Sequence, residues 1–221
     1  MLSTALDAHP AVRCCGETLS PWRKDLPAGE SAERILRREV YRAATGIAAA
    51  GFKLQAEDAR QGAHSDARGF LRSIGVRAIH LYRRNLLRQL LSFEVAERTG
   101  VWILIGGKKR PAPVAVELDV TAIEARFRDL ERLYAQNERD FSDCPSIRVA
   151  YEDLATGGRG AGEEEEMVRI FRFLGVAPNA VRPDTRRQER RPLRLAIGNY
   201  AEVARALAGT RWEGLLIEGE P

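Results

Sequence analysis

Apolar positions along the chain switch between two periods, and the switches mark the elements. Val76-Arg77-Ala78-Ile79-His80-Leu81-Tyr82 is a β-rich run that passes without a turn dipeptide into Leu86, Leu87, Leu90, Leu91 and Val95. That second set has the spacing of one helix face, so the pattern predicts a strand followed at once by an amphipathic helix. Ser146-Ile147-Arg148-Val149-Ala150-Tyr151 reads as another strand, and Ile123, Phe127, Leu130 and Tyr134 as a helical stripe. Met167, Ile170, Phe171 and Leu174 form a further stripe stopped by Gly175. The acids Glu163–Glu166 fall in its first turn, where they complement the helix dipole.

Shorter signals fill in the rest. Leu2 to Ala8 reads as the end of a helix stopped at His9-Pro10, and Ala11 to Cys15 as an extended run closed by Gly16-Glu17. Ser31 is placed to cap a helix carrying Ile35, Leu36 and Val40. Gly51-Phe52-Lys53-Leu54 resembles a short strand, Phe70–Ile74 the end of a helix before Gly75, and Asn199 to Gly209 a last helix. The stretch Val101–Val120 is mixed and loop-like around Gly106-Gly107 and Pro111-Ala112-Pro113. Alternating strands and helices predict an α/β fold, three layers around a central parallel sheet. No Pro/Gly/Ser linker divides the chain, so residues 1–221 read as one domain.

Composition narrows the class. Of 221 residues, 44% are apolar and 30% charged, which excludes collagen-like and disordered chains. Cys14, Cys15 and Cys144 are odd in number and lack metal or thioredoxin spacing, so three free thiols in a reducing, cytoplasmic setting are expected. The longest apolar run, Ile47–Phe52, is far short of the ~20 residues that span a bilayer, and Asp7 interrupts an N-terminus that has no basic n-region. Only Lys24, Lys53, Lys108 and Lys109 are lysines among 35 basic residues, so arginine dominates. That suits planar recognition of phosphate or sulfate, and equally reflects codon bias. Arg182 to Arg194 holds six Arg against Asp184 and Glu189, a local net +4 equal to the formal charge of the whole chain. The basic charge is therefore local rather than spread for duplex binding.

Candidate chemistry concentrates where the first strand–helix junction falls. Arg83, Arg84 and Asn85 sit at a strand's carboxyl end, the edge at which open α/β sheets bind ligands. An anion there could be held by helix N-terminal N–H groups, by Arg84, and by the Ser92 hydroxyl about two turns on. The same residues also read as a solvated helix start. Gly157-Gly158-Arg159-Gly160-Ala161-Gly162 lacks Gly-Lys-Ser/Thr and Rossmann spacing and reads as a connector. His9 reads as a helix end, His80 as a satisfied core residue, His64 as uninformative, and Trp22, Trp102 and Trp212 as packing residues.

Ile79-His80-Leu81-Tyr82-Arg83-Arg84-Asn85 with Ser92 resembles the 3′-phosphate-binding motif of the PAPS-dependent sulfotransferases. In that motif an Arg at a strand end and a Ser eight positions later hold the 3′-phosphate, and Arg84 and Ser92 match the pair. Leu6-Asp7-Ala8-His9-Pro10, Gly51-Phe52-Lys53-Leu54, Tyr151-Glu152-Asp153-Leu154, Phe173-Leu174-Gly175-Val176 and Asn199-Tyr200-Ala201-Glu202 look like landmarks of the bacterial carbohydrate and nodulation-factor type, in the same order. Together they cover nearly the whole sequence, while Trp102–Arg139 carries nothing that matches.

The resemblance implies a P-loop-like α/β/α fold. It also implies in-line sulfuryl transfer from 3′-phosphoadenosine 5′-phosphosulfate (PAPS) to a hydroxyl of a carbohydrate or glycolipid-like acceptor, without a metal. Glu17 resembles the general base that such enzymes place after their second strand, although a plain loop carboxylate remains open. Arg186 and Arg187, in Thr185-Arg186-Arg187-Gln188, resemble the basic loop that closes over the nucleotide, and equally read as a solvated charge run.

One departure stands out. The family opens with a strand and a Pro-Arg-Ser-Gly-Thr-Thr-type loop that cradles the 5′-phosphosulfate, and no such loop occurs here. The resemblance therefore implies a sheet lacking its first strand and a chain truncated at its N-terminus. Two readings from other classes stand beside the enzyme. One is a catalytically inactive nucleotide-binding module; the other is nucleic-acid binding through Arg182–Arg194, for which no accompanying motif exists.

Overall fold

In the computed structural model the described residues are 2–20, 22–26, 29–55, 66–105, 112–154, 161–181, 185–186 and 191–217. Their order is α1 (Leu2–Asp7), β1 (Val12–Cys14), α2 (Ala32–Glu39), β2 (Ala49–Gly51), α3 (Ala67–Ser73), β3 (Ala78–Tyr82), α4 (Leu86–Thr99), β4 (Leu104–Ile105), α5 (Ile123–Asp140) and β5 (Ser146–Ala150). A 3₁₀ turn (Tyr151–Leu154) follows, then α6 (Ala161–Leu174), β6 (Thr185–Arg186), α7 (Leu193–Ala196), α8 (Tyr200–Leu207) and a second 3₁₀ turn (Glu213–Leu216). The architecture is a mixture of helix and strand with small parallel sheets, consistent with the α/β class.

Local chemistry accounts for the element ends. The Ser31 side chain accepts the Arg34 N–H and caps α2. Asn85 does the same for α4, its side chain accepting the Arg88 N–H at 2.9 Å. Gly175 stops α6 in the left-handed region at φ 78°, where a side chain would be strained. The Glu163–Glu166 run does more than complement a dipole. Glu166 pairs with Arg169, which also donates to the Arg148 carbonyl at 2.6 Å and ties α6 to β5.

Strand pairing corrects three boundaries. β2 lies at Ala49–Gly51 rather than at Gly51–Leu54, because register with β1 starts at Val12↔Ala49. Phe52 and Leu54 leave the ladder and pack with α2 and α3. β3 begins at Ala78, whose N–H donates to the Pro145 carbonyl at 2.9 Å. Tyr151 belongs to the turn after β5, not to the strand.

The expected central sheet is not one continuous ladder among the described residues. β1 pairs with β2 and β3 with β5, both in parallel, and β4 pairs with β6 antiparallel. The outer edge of β1 is covered, since the Cys14 N–H donates to Asp7 Oδ1 at 2.9 Å and the Val12 N–H to the His9 carbonyl at 3.1 Å. Ladder geometry turns the polar groups of Ala50 on β2, and of Ile79 and Leu81 on β3, away from their partners. No further strand pairs with them among the described residues. Leu81 is accordingly 41% exposed, which is unusual for a strand of a parallel sheet.

Three apolar clusters hold these pieces. Leu6, Val12, Val149, Ile170 and Phe171 draw α1 and α6 onto both parallel ladders. Ile35, Leu36, Phe70 and Leu71 join α2 to α3, with Ala50 of β2 packed against them. Neighbouring Ala49 packs with the first cluster, so successive residues of β2 face opposite helices. The third cluster is helical: Leu87, Leu91, Phe127, Leu193, Val203 and Leu207 unite α4, α5, α7 and α8. Asn199 locks it by accepting the Leu118 N–H at 3.0 Å and donating to the Leu118 carbonyl at 2.8 Å. No helix among the described residues is long and apolar enough to cross a membrane.

Candidate functional site

β3 and β5 end side by side in the register Tyr82↔Ala150. The two chain segments that leave them therefore meet. Leu154, 3% exposed, anchors the Tyr151–Leu154 turn. That turn presents Glu152 to the β3–α4 junction, where its carboxylate accepts the Arg84 N–H at 3.1 Å and the Asn85 N–H at 3.3 Å. The Arg83 N–H donates to the Tyr134 hydroxyl at 3.2 Å, and Tyr134 donates onward to Gln89 Oε1 at 2.5 Å. Asn85 Nδ2 reaches the Leu215 carbonyl at 3.0 Å.

This arrangement corrects one expectation. The N–H groups of Arg84 and Asn85 are not open to an external anion, because the Glu152 carboxylate already holds both. The two arginines are also not equivalent. The Arg83 guanidinium lies over the Tyr151 ring, 4.0 Å from its centroid, and donates to the Arg88 carbonyl at 3.3 Å. The Arg84 side chain is 54% exposed and its guanidinium reaches both oxygens of Asp153, 2.5 Å to Oδ1.

Ser92 lies on α4 about two turns further along, partly exposed, between buried Leu91 and exposed Phe93. No contact among the described residues joins Ser92 to Arg84. The Arg84 guanidinium is exposed apart from its pairing with Asp153, and no hydrogen bond of the Ser92 hydroxyl occurs among the described residues.

Glu17 lies at the carboxyl end of the other parallel ladder. Gly16, at φ 62°, turns the chain out of β1, and its carbonyl accepts the Lys53 N–H at 2.6 Å. The Lys53 ammonium then meets Glu17 Oε1 at 2.5 Å. Partial burial pushes the Glu17 carboxyl up, but the hydrogen bond and charge of Lys53, with a further hydrogen bond from Gln55, outweigh it and hold the group below its ordinary value. Glu17 is thus ionised at neutral pH and able to accept a proton. No ion pair among the described residues connects it to the Arg84–Asp153 pair.

The sign for stability follows from that direction. A carboxyl lowered by folding stabilises above its unfolded pKa of about 4.3, and this contribution is lost as pH falls through the folded value. Lys53→Met removes the ammonium and leaves the burial. The Glu17 carboxyl carbon, followed by NMR through an acid titration, is then expected to titrate at a higher pH than in the parent protein. An unchanged midpoint would assign the depression to other groups.

His9 is structural. It is 5% exposed, its Nε2 lies 2.9 Å from the Ala177 carbonyl, its Nδ1 accepts the Ala11 N–H at 3.1 Å, and its ring packs on Phe171. With both nitrogens engaged it has no capacity left for substrate. His80 departs from its expectation as a satisfied core residue, because its buried Nε2 has no partner among the described residues. Burial lowers its pKa, which keeps the ring neutral beside Phe141.

Arg186 contributes its backbone to β6, opposite Leu104. Its side chain and the whole of Arg187 lie outside the described residues, as do His64 and Gly157–Gly160. The residues that sequence reasoning did not single out are Lys53, Glu152 and Asp153. The signal for them was present, since each lies within a landmark at a strand's carboxyl end.

Comparison with known proteins points in one direction. No protein-family model matches the chain, and no solved structure does. The chain is 28% identical over 131 residues to Nodulation protein H of Rhizobium tropici, a match that takes in 58% of this chain and 50% of that protein. It thus spans half the length of that relative. It is 27% identical over 212 residues to Nodulation protein H of Rhizobium meliloti, across 91% of this chain and 83% of the other. Sequence similarity therefore relates this chain to Nodulation protein H of Rhizobium meliloti along nearly its whole length, and to that of Rhizobium tropici over somewhat more than half.

Proposed function

We propose that this chain is a PAPS-dependent sulfotransferase domain that transfers a sulfuryl group to a hydroxyl of a carbohydrate or glycolipid-like acceptor. The observation that carries the reading is the Arg84–Ser92 pair at the carboxyl end of a parallel strand, with Arg84 free of the stacking that engages Arg83. The likeness to two nodulation proteins supports the same family as the motif resemblance. PAPS supplies the group to be transferred. Arg84 and Ser92 hold its 3′-phosphate, Glu17 takes the proton of the acceptor hydroxyl, and Arg186 and Arg187 close over the nucleotide. The protein's contribution is alignment, proton removal and positive charge on the leaving phosphate.

The fold that goes with this reading is a three-layer α/β/α domain. The unpaired edges of β2 and β3 fit a further parallel strand between the two ladders, bearing a phosphosulfate loop. No such loop motif occurs in the 221 residues, which also favours a second reading as a nucleotide-binding module without turnover.

Titration calorimetry with adenosine 3′,5′-bisphosphate tests the site. Arg84→Ala removes a charge-assisted bond worth roughly 1.5–3 kcal/mol, so binding is expected to weaken about tenfold or more. Ser92→Ala should weaken it less, because a neutral donor contributes about 0.5–1.5 kcal/mol. Equal weakening toward adenosine 5′-phosphate would overturn the 3′ assignment. Tight bisphosphate binding without sulfuryl transfer would select the module over the enzyme.

A further inference from the structure

We propose that Asp153 is the resident counter-ion of Arg84, displaced when a phosphate enters; the displacing ligand rests on the nucleotide reading above. The acidic pair after β5 divides its labour. Glu152 is committed to two backbone N–H groups and fastens the β3–α4 junction. Among the described residues the ion pair of Asp153 is with Arg84, a guanidinium that is 54% exposed, and Asp153 is itself 37% exposed; Arg169 adds a longer-range attraction. Its backbone is held in place on both sides, by Tyr151 beneath the Arg83 guanidinium and by the buried Leu154. The Asp153 carboxylate, partly exposed, can rotate away from Arg84 without moving that backbone. With the Arg84 and Asn85 amides occupied, the Asp153 oxygens take the place at Arg84 that phosphate oxygens would take.

The energetics favour exchange. A solvent-exposed ion pair contributes little net stability, whereas a phosphate carries more charge and more acceptor oxygens to the same guanidinium. The carboxylate thus satisfies Arg84 in the free protein without preventing its capture, and lowers the apparent affinity for every anion at this edge. Arg84 is the arginine within ion-pair distance of Asp153, while Arg83 is engaged by Tyr151 and the Arg88 carbonyl and Arg169 is paired with Glu166.

Asp153→Asn tests this with two measurements. The first is site-resolved modification of arginines by phenylglyoxal, read by mass spectrometry, which needs no nucleotide. Arg84 is expected to react two- to fivefold faster in the variant, with Arg83 unchanged. The second is calorimetric titration with adenosine 3′,5′-bisphosphate, expected to bind two- to fivefold more tightly. Asp153→Glu keeps the charge and should return both values toward those of the parent, which separates charge from a change in folding. Unchanged Arg84 reactivity and affinity in Asp153→Asn would overturn the counter-ion role. Faster Arg84 modification with no nucleotide binding by either protein would overturn the nucleotide reading and retain the pairing. Nucleotide binding that depends on Arg84 but ignores Asp153 would do the reverse.

Discussion

Glu17→Gln is expected to lower the maximal rate of sulfuryl transfer by about 10²–10⁴-fold, the usual effect of losing a positioned base. The amide keeps the shape of the side chain but cannot take the acceptor's proton. The Lys53 ammonium, 2.5 Å from Glu17, makes the consequence specific. By holding the carboxyl below its ordinary value, it keeps Glu17 ionised through the neutral range, so the acid limb of the pH–rate profile should move to higher pH in Lys53→Met. Glu17→Gln should leave bisphosphate affinity unchanged, because Glu17 belongs to the β1–β2 ladder and Arg84 to the β3–β5 ladder. The measurement is steady-state sulfuryl transfer from PAPS by the parent protein and by the variant. A rate within threefold of the parent would remove Glu17 from the role. His9 could not inherit it, since both of its ring nitrogens are engaged within the fold.

Phe171→Ala is expected to cost about 3–5 kcal/mol of folding stability, a large share of the roughly 5–15 kcal/mol that holds a domain together. Phe171 is fully buried at 0% exposure, and its cluster joins α1 and α6 to both parallel ladders. Its ring also packs on His9, centroids 4.7 Å apart, so truncation opens a cavity next to the imidazole that secures the end of α1. Urea unfolding should show a lower midpoint with an unchanged slope. Leu195→Ala, at a side chain 57% exposed, serves as the control and should shift stability by no more than about 0.5 kcal/mol. A Phe171→Ala midpoint equal to that of the control would mean that the two ladders are held together elsewhere.

Helix positions were legible in the sequence because amphipathic spacing and capping are local. The stripe through Leu87, Leu91 and Val95 is buried on α4. The stripe through Ile123 and Phe127 is buried on α5. The Ser31 cap and the Gly175 stop lie where their chemistry placed them. Strand limits were less legible. Val12–Cys14 selects which residues of the segment around Gly51 pair with it, and a partner distant in sequence leaves no local mark. Helix α7 was missed because the arginines around Leu193 and Ala196 concealed a short apolar step. Its burial depends on contact with α4 and α8.

The candidate site divides the same way. The sequence by itself determined where the candidate groups fall along the elements, because Arg84 and Ser92 sit at fixed steps from a strand end, and chain geometry carries such spacing unaided. It also determined that Glu17 follows β1 directly. Only the tertiary structure decided how these groups are partnered. Parallel pairing of β3 with β5 brings Glu152 and Asp153, nearly seventy residues later, onto the Arg84–Asn85 junction, and pairing of β1 with β2 brings Lys53 to Glu17. An ion pair depends on distance in space, and a residue's own sequence neighbourhood does not contain the charge that will face it.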